Sequence, residues 1–274
     1  MADLLALAPH RSTTATLLAG AARERGMDVT VLPRHGLPAR PPEGARAHYY
    51  GGPLFGASAA GPLGIALLEP DDGWLDALPY AFTGRRVRRV PLSEARSTPG
   101  PLFAKPPTDK SFPAAVYADG AGLRVPAGPQ EDPLVQISEV VTWVREFRLH
   151  LLDGEIRTGS QYACFGRLDV APLAGHADEP AVRAFAGRLA EVCAGSLPSG
   201  VVLDVGLMRA ESDAGEGRWA VVEANMAWFS NLYAADPARA LDVVLRAAGP
   251  CAGVRARDAP FRRAWQRGPA TSAP

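Results

Sequence analysis

GVVLDVGLMRAESDAGEGRWAVVEANMAWF, residues 200–229, is two apolar runs joined by a polar loop. The Asp-, Ser- and Gly-rich segment at 211–217 is turn chemistry, so the stretch predicts a β-hairpin. Three oxygen-bearing side chains interrupt its strands: Asp204 on the first, Glu223 and Asn225 on the second. Residues two apart on a strand share a face, so Glu223 and Asn225 point together and Asp204 can join them from next door. Two carboxylates and an amide carbonyl make an all-oxygen set suited to Mg2+, with water and phosphate oxygens completing the shell. The alternative is a pair of hydrogen-bonded acids at strand ends. Acids inside apolar runs are costly unless paired or metal-bound, which favours the metal.

Upstream, VREFRLHLLDGEIRTGSQYA predicts another hairpin, turning tightly at Asp153-Gly154. On its first strand Arg148 shares a face with Glu146 and with His150. An arginine there could clamp a terminal phosphate. A cross-strand ion pair on a wet face is the competing reading, and His150 reads as a satisfied sheet histidine. Farther upstream lies FAKPPTDKSF, residues 103–112. Of 29 Lys plus Arg in the chain, only Lys105 and Lys110 are lysines. Drift in a GC-rich genome replaces lysine wherever bare positive charge suffices. A surviving pair therefore marks slots that need a compact ammonium rather than a planar fork.

The remaining chain supplies the frame. DLLALAP and DVTVLP flank STTATLLAGAARERG, whose Ser/Thr start, stripe of Leu17, Leu18, Ala21 and Ala22, and Gly26 stop predict strand–helix–strand. That pattern indicates a parallel α/β beginning, without the GxGxxG of a dinucleotide site. GIALLEP reads as a strand and DGWLDALPYAF as a short helix. GRRVRRV, with Arg85, Arg86, Arg88 and Arg89, reads as a strand edge or solvated face rather than a nucleic-acid patch. PLFAKPP, AAVYADG and LVQISEVV are further strands; EPAVRAFAGRLAEVCAG and DPARALDVVLRAAG are helices. Residues 1–95 are expected to form an N-terminal α/β lobe. Residues 96–250 are expected to form a β-rich region, divided at about 138 and 139, and 251–274 a partly disordered tail.

Composition excludes several classes. A chain of 274 residues with 47% apolar and 21% charged residues is ordinary for a globular protein. Net charge of +0 provides no global field for nucleic acid or acidic membrane. Cys164, Cys193 and Cys251 have no CxxC or Cys/His spacing, which points to a reduced, cytoplasmic protein without structural metal. The opening MADLLALAPHRSTTATLL lacks the basic start and long apolar core of a signal peptide, and no stretch has bilayer-spanning length.

The order of parts is strand lysine, loop lysine, an apolar strand ending in Ser-Glu, Glu-Phe-Arg, strand Asp and Glu-x-Asn. It resembles the ATP-grasp superfamily of carboxylate–amine ligases. FAKPPTDKSFPAAVY, SEVVTWVREFRLHLLDGEI and WAVVEANMAWFSNLY are similar to the clade named for one arginine and two lysines, across roughly residues 45–246. The resemblance implies an ATP-grasp fold of α/β (α+β) class. A parallel α/β pre-ATP-grasp lobe would precede antiparallel, β-rich nucleotide-binding lobes.

The same resemblance implies the cofactors ATP and Mg2+. Lys105 would contact the phosphates beside the nucleotide cleft. Lys110, on a loop with Ser111 and Phe112, would reach the β- and γ-phosphates. Gln136, Ile137, Ser138 and Glu139 would be the hinge whose backbone pairs with adenine, Glu139 accepting from ribose or adenine. Arg148 would stabilise the transferring phosphoryl group, and Asp204, Glu223 and Asn225 would hold Mg2+. The implied reaction joins a small-molecule, amino-acid or peptide carboxylate to an amine through an acylphosphate, with no nucleic acid or membrane partner and oligomeric state open. A regulatory nucleotide-binding protein without turnover and a small-molecule kinase are the alternatives. The 106–114 loop and MAWFSNLYAADP are lid candidates. Tyr49, Tyr50 and Tyr233 are either aromatic walls of the acceptor side or ordinary packing. PTDKSFP lacks the glycine run of many such lids, and Asn231 stands where relatives carry glycine.

Overall fold

The computed structural model describes residues 2–35, 40–41, 44–107, 112–126, 131–209 and 217–263. Strand β1 (Leu4–Leu7) is followed by helix α1 (Thr13–Glu24), whose Ser12 cap accepts a hydrogen bond from the Ala15 N–H at 3.1 Å. β2 (Asp28–Val31) and β3 (Ala47–Tyr50) flank β1, and both run parallel to it. The predicted parallel α/β beginning is present. Helix α2 (Pro53–Leu63) ends at a left-handed Gly64, and the short strand β4 (Ile65–Leu67) follows. DGWLDALPYAF is mostly turns here, because the only helix within it or at its end is the four-residue α3 (Tyr80–Thr83).

A second sheet stands on β5 (Val87–Pro91), followed after helix α4 (Leu92–Arg96) by β6 (Leu102–Lys105), β7 (Ala115–Tyr117) and β8 (Leu134–Ser138). Its order is β5-β8-β6-β7, antiparallel throughout. Residues 87–91 therefore pair with this sheet. Val90, opposite Val135, is buried in the same apolar cluster as Ala104 and Ile137. That burial draws the strand across.

The third sheet comprises β9 (Thr142–Leu152), β10 (Glu155–Cys164), β11 (Arg167–Pro172), β12 (Gly200–Arg209) and β13 (Arg218–Asn225), in the order β11-β10-β9-β12-β13. Asp153 and Gly154 both have positive φ, 54° and 87°, as the predicted two-residue turn requires. Helix α5 (Glu179–Val192) covers one face, burying Val182, Phe185 and Leu189 against Phe147, Leu149, Leu203 and Val205. On the opposite face Val202 and Leu152 pack with Val243 and Ala247, and Arg148 and Asp204 form a polar stretch beside them. Helix α6 (Pro237–Ala247) returns to the first lobe, where Leu241 and Val244 pack with Leu5 and Leu18, and β14 (Ala248–Pro250) pairs with β4.

The expected loose tail is ordered as far as residue 263. Buried Asp258 accepts from the Ser199 N–H at 2.7 Å and the Ser199 hydroxyl at 2.6 Å, which anchors the turn at Ala256–Phe261. Residues 264–274 lie outside the described residues. No helix among the described residues is long and apolar enough to cross a membrane.

Gly206 on β12 tests the central sheet. A Cβ there would sit 2.5 Å from the Trp143 ring and 3.0 Å from the Arg145 carbonyl oxygen. Gly206→Ala is predicted to lower unfolding free energy by roughly 1–3 kcal/mol, as overpacking does. Urea denaturation measures it, and an unchanged midpoint would contradict this packing.

Candidate active site

The register of three adjacent strands assembles the polar face. Arg148 on β9, Asp204 on β12 and Glu223 on β13 lie directly opposite one another, with His150, Val202 and Asn225 forming the next row. Arg148 grips Asp204 with a fork: Nε donates to Oδ1 at 2.9 Å and Nη2 to Oδ2 at 2.7 Å. The Asn225 amide nitrogen donates to Glu223 Oε1 at 2.8 Å and to Asp204 Oδ2 at 3.3 Å. From the facing sheet, Lys105 Nζ donates to Glu223 Oε2 at 2.6 Å. One strand lysine, one arginine and the three predicted metal-site residues thus form one connected cluster. Lys110 lies outside the described residues.

A cavity of about 600 Å³ opens beside this cluster. Lys105, Gln136, Glu223 and Asn225 supply polar walls, and Trp74, Leu75, Phe112 and Met226 supply apolar ones. The segment after β4 contributes the rim, where Asp71 accepts from the Gly73 N–H at 2.8 Å. The Arg148 guanidinium lies 5.6 Å from the Tyr162 ring and 5.4 Å from the Tyr233 ring. Those two rings stack at 5.3 Å, and the Tyr162 hydroxyl donates to Glu146 Oε2 at 2.8 Å.

Tyr162 escaped the sequence reading because a register shift between Gln161 and Ala163 re-aims the strand. Tyr233 holds a left-handed backbone with φ 52°, a strained conformation for a bulky residue. Tyr49 and Tyr50 are packing residues, buried and donating to the carbonyls of Gly52 and Ser230.

Charge balance sets the ionisation of the cluster. Asp204 is 1% exposed; burial pushes its carboxyl above the ordinary range, opposed by the Arg148 charge and fork. Burial also acts upward on Glu223, yet the Lys105 charge and the Asn225 hydrogen bond outweigh it and hold Glu223 below the usual range. Glu146 is raised by burial despite the Tyr162 hydrogen bond. Burial disfavours the Arg148 cation, but Asp204 more than compensates and keeps it charged. Arg85 is buried, contrary to the exposed-edge reading of GRRVRRV. It donates to the carbonyls of Thr83, Val221 and Val222, and burial lowers its pKa to about 10. The strand that follows it, β5, is nevertheless a sheet edge.

The predicted hinge, Gln136 to Glu139, spans the end of β8 and the residue after it. β8 is paired on both sides, so the backbone groups of Gln136, Ile137 and Ser138 serve the sheet. The Glu139 N–H bonds the Arg86 carbonyl at 3.3 Å, and its Oε2 accepts from the Arg86 N–H at 2.8 Å.

The donor chemistry fits a hard divalent ion. Glu223 is 33% exposed and, with Asn225, faces the cavity, while Asp204 can enter a shell by sharing lone pairs with Arg148. A half-turn of the Asn225 amide would present its oxygen in place of its nitrogen. Among the described residues no group of three or more His, Cys, Asp or Glu side chains is arranged for a metal, so phosphate oxygens and water would complete this one.

Comparison with known proteins places the chain in a family. A protein-family model, the ATP-grasp domain of family 2 in the clade named for one arginine and two lysines, matches residues 82–243. The chain belongs to that family. Its fold is similar to that of an ATP-grasp RimK domain protein from Sphaerobacter thermophilus, with a TM-score of 0.57 at 17% identity, covering 89% of this chain and 100% of that one. D-alanine–D-alanine ligase from Bacillus anthracis aligns with a TM-score of 0.47 at 12% identity, covering 89% of this chain and 96% of the other. N5-carboxyaminoimidazole synthetase from Staphylococcus aureus gives 0.48 at 10%, covering 88% and 77%. No curated protein sequence matches the chain.

His150 departs from expectation. It is fully buried, and neither ring nitrogen has a hydrogen-bond partner among the described residues. Burial lowers its pKa to about 3. The unfolded chain protonates histidine near 6.5 while the folded one does not, so stability present above pH 6.5 is lost as pH falls toward 3. The predicted loss from this residue is about 2 kcal/mol at pH 5. His150→Leu should remove that part of the slope in denaturation curves taken at pH 7 and 5. Identical slopes in both proteins would contradict the neutral, unpartnered imidazole.

Proposed function

We propose that this chain is an ATP- and Mg2+-dependent ligase joining a carboxylate to an amine, as an amide or peptide bond. The observation that supports it best is the row Arg148–Asp204–Glu223, closed from the opposite sheet by Lys105 at the edge of a 600 Å³ cavity. Every cation in that row now rests on a carboxylate. A triphosphate and a divalent ion entering together would take over both sets of partners at once.

Lys105 and Lys110 neutralise phosphate oxygens, and Arg148 faces the charge of the transferring phosphoryl group. Asp204, Glu223 and Asn225 would hold Mg2+, which would supply positive charge to offset the phosphates. The substrate carboxylate oxygen attacks the γ-phosphorus as its bond to the ADP oxygen breaks. The amine nitrogen then attacks the acyl carbon, phosphate leaves, and the nitrogen loses its proton. Because an acylphosphate hydrolyses readily, the site must exclude water. Tyr162 and Tyr233, stacked beside Arg148, serve that end. The carboxylate is an acid of small-molecule, amino-acid or peptide type, and the chain works as a soluble cytoplasmic enzyme.

The test is ADP release from MgATP across pairs of acids and amines, with hydroxylamine as a trap for the activated acid. Release that needs both partners, and a hydroxamate in the trap, are the expected results. Lys105→Arg and Lys110→Arg should each lower the rate by about a hundredfold or more, since one phosphate-site donor is worth that much, with unchanged circular dichroism. ADP release with an acid alone and a stable phosphorylated product would indicate a kinase. Bound ATP that never turns over would indicate the regulatory alternative.

A further inference from the structure

Strand β11 ends the third sheet on one side, and no described strand pairs with its outer edge. Residues 167–170 are exposed, with Leu168 at 76% and Val170 at 43%. The turn before the strand adds Phe165, 58% exposed and held at φ 48° beside Gly166 at φ 69°. That backbone suits asparagine or glycine, so a bulky aromatic there is strained as well as wet. Bare sheet edges invite pairing with another chain, and proteins ordinarily blunt them with repelling charge or proline. The edge strand β5 follows that pattern with Arg88, Arg89 and Pro91. β11 instead sets one arginine and one aspartate, Arg167 and Asp169, on either side of Leu168. Arg167 has no ion pair among the described residues.

Hydrogen-bond parity fixes how this edge is offered. Cys164 and Arg167 close the two-residue turn, so Arg167 gives its backbone groups to β10. The N–H and C=O of Leu168, one residue on, point away from β10 to the free edge. Two antiparallel copies of the strand, related by a two-fold axis at Leu168, would exchange both bonds between their Leu168 residues. In that register Arg167 lies opposite the partner's Asp169, and Asp169 opposite the partner's Arg167. These are the non-hydrogen-bonded positions, where opposed side chains come closest. Leu168 meets the partner's Leu168, and Phe165 meets the partner's Ala171. Moving the axis one residue along, to Arg167 or Asp169, sets like charge against like. We propose that β11 pairs with β11 of a second copy of this chain, joining two five-stranded sheets into one of ten strands. The axis runs perpendicular to the sheet, so both Arg148–Asp204 rows open to the same side. The pairing depends on this edge alone and stands apart from the ligase reading.

Sedimentation velocity on the full chain, over a range of protein concentrations, tests it. Wild type should shift from monomer to dimer as concentration rises. Arg167→Asp and Asp169→Arg each put like charges on both cross-strand pairs. Each should raise the dimer dissociation constant by roughly tenfold or more. Mixed together, the two variants should associate again, because each supplies the charge the other lacks. Circular dichroism checks that the variants fold. Asp169→Arg also loses the hydrogen bond from the Gln161 amide, and should it fail to fold, Arg167→Asp against wild type still decides the matter. A wild type that stays monomeric, or a dimer as tight in Arg167→Asp as in wild type, would overturn the proposal.

Discussion

The Arg148–Asp204 pair sets the terms for everything around it. Asp204 sits almost dry in the third sheet, where burial disfavours its charged form and a guanidinium gripping both its oxygens opposes that. Removing either partner would strand the other as a buried, unpaired charge. Glu223 and Lys105 repeat the arrangement one strand over, with Asn225 tying the two pairs together. The cluster is consequently neutral as a whole but built of separable cations and anions. Such a site discriminates against a bare anion or a bare cation and suits a ligand bringing both.

Each lobe contributes one side of this balance. The third sheet supplies the acids and the arginine, aligned by register and stiffened behind by the core under α5. The second sheet supplies Lys105 and Gln136 from neighbouring strands. The first lobe closes the cavity with the segment after β4, and Trp74 and Leu75 belong both to that wall and to the α5 core. Arg85 crosses between elements and satisfies two carbonyls of β13 beside Glu223, which steadies the strand that carries the acid. The site is thus held by sheets rather than loops, as a precise charge arrangement needs.

Much of this was readable in residue order, because alternation and hairpin chemistry act locally. The 200–229 hairpin, the Asp153-Gly154 turn and the opening strand–helix–strand all have near-neighbour causes. The pairing of Asp204 with Glu223 followed from strand periodicity. What escaped depends on tertiary choices. The transfer of β5 to the second sheet is decided by a core assembled from distant strands. Tyr162 is aimed by a bulge, and its stacking on Tyr233 needs two segments far apart in sequence. The isolation of His150 and the burial of Asp258 are likewise invisible to spacing, since each depends on what the fold brings alongside.

The most direct measurement is a crystal structure of the chain with Mg2+ and a non-hydrolysable ATP analogue. The account predicts that Lys105 leaves Glu223 for a phosphate oxygen and that Mg2+ lies against Glu223 and Asn225. A triphosphate bound elsewhere, with the 2.6 Å Lys105–Glu223 contact intact, would contradict it.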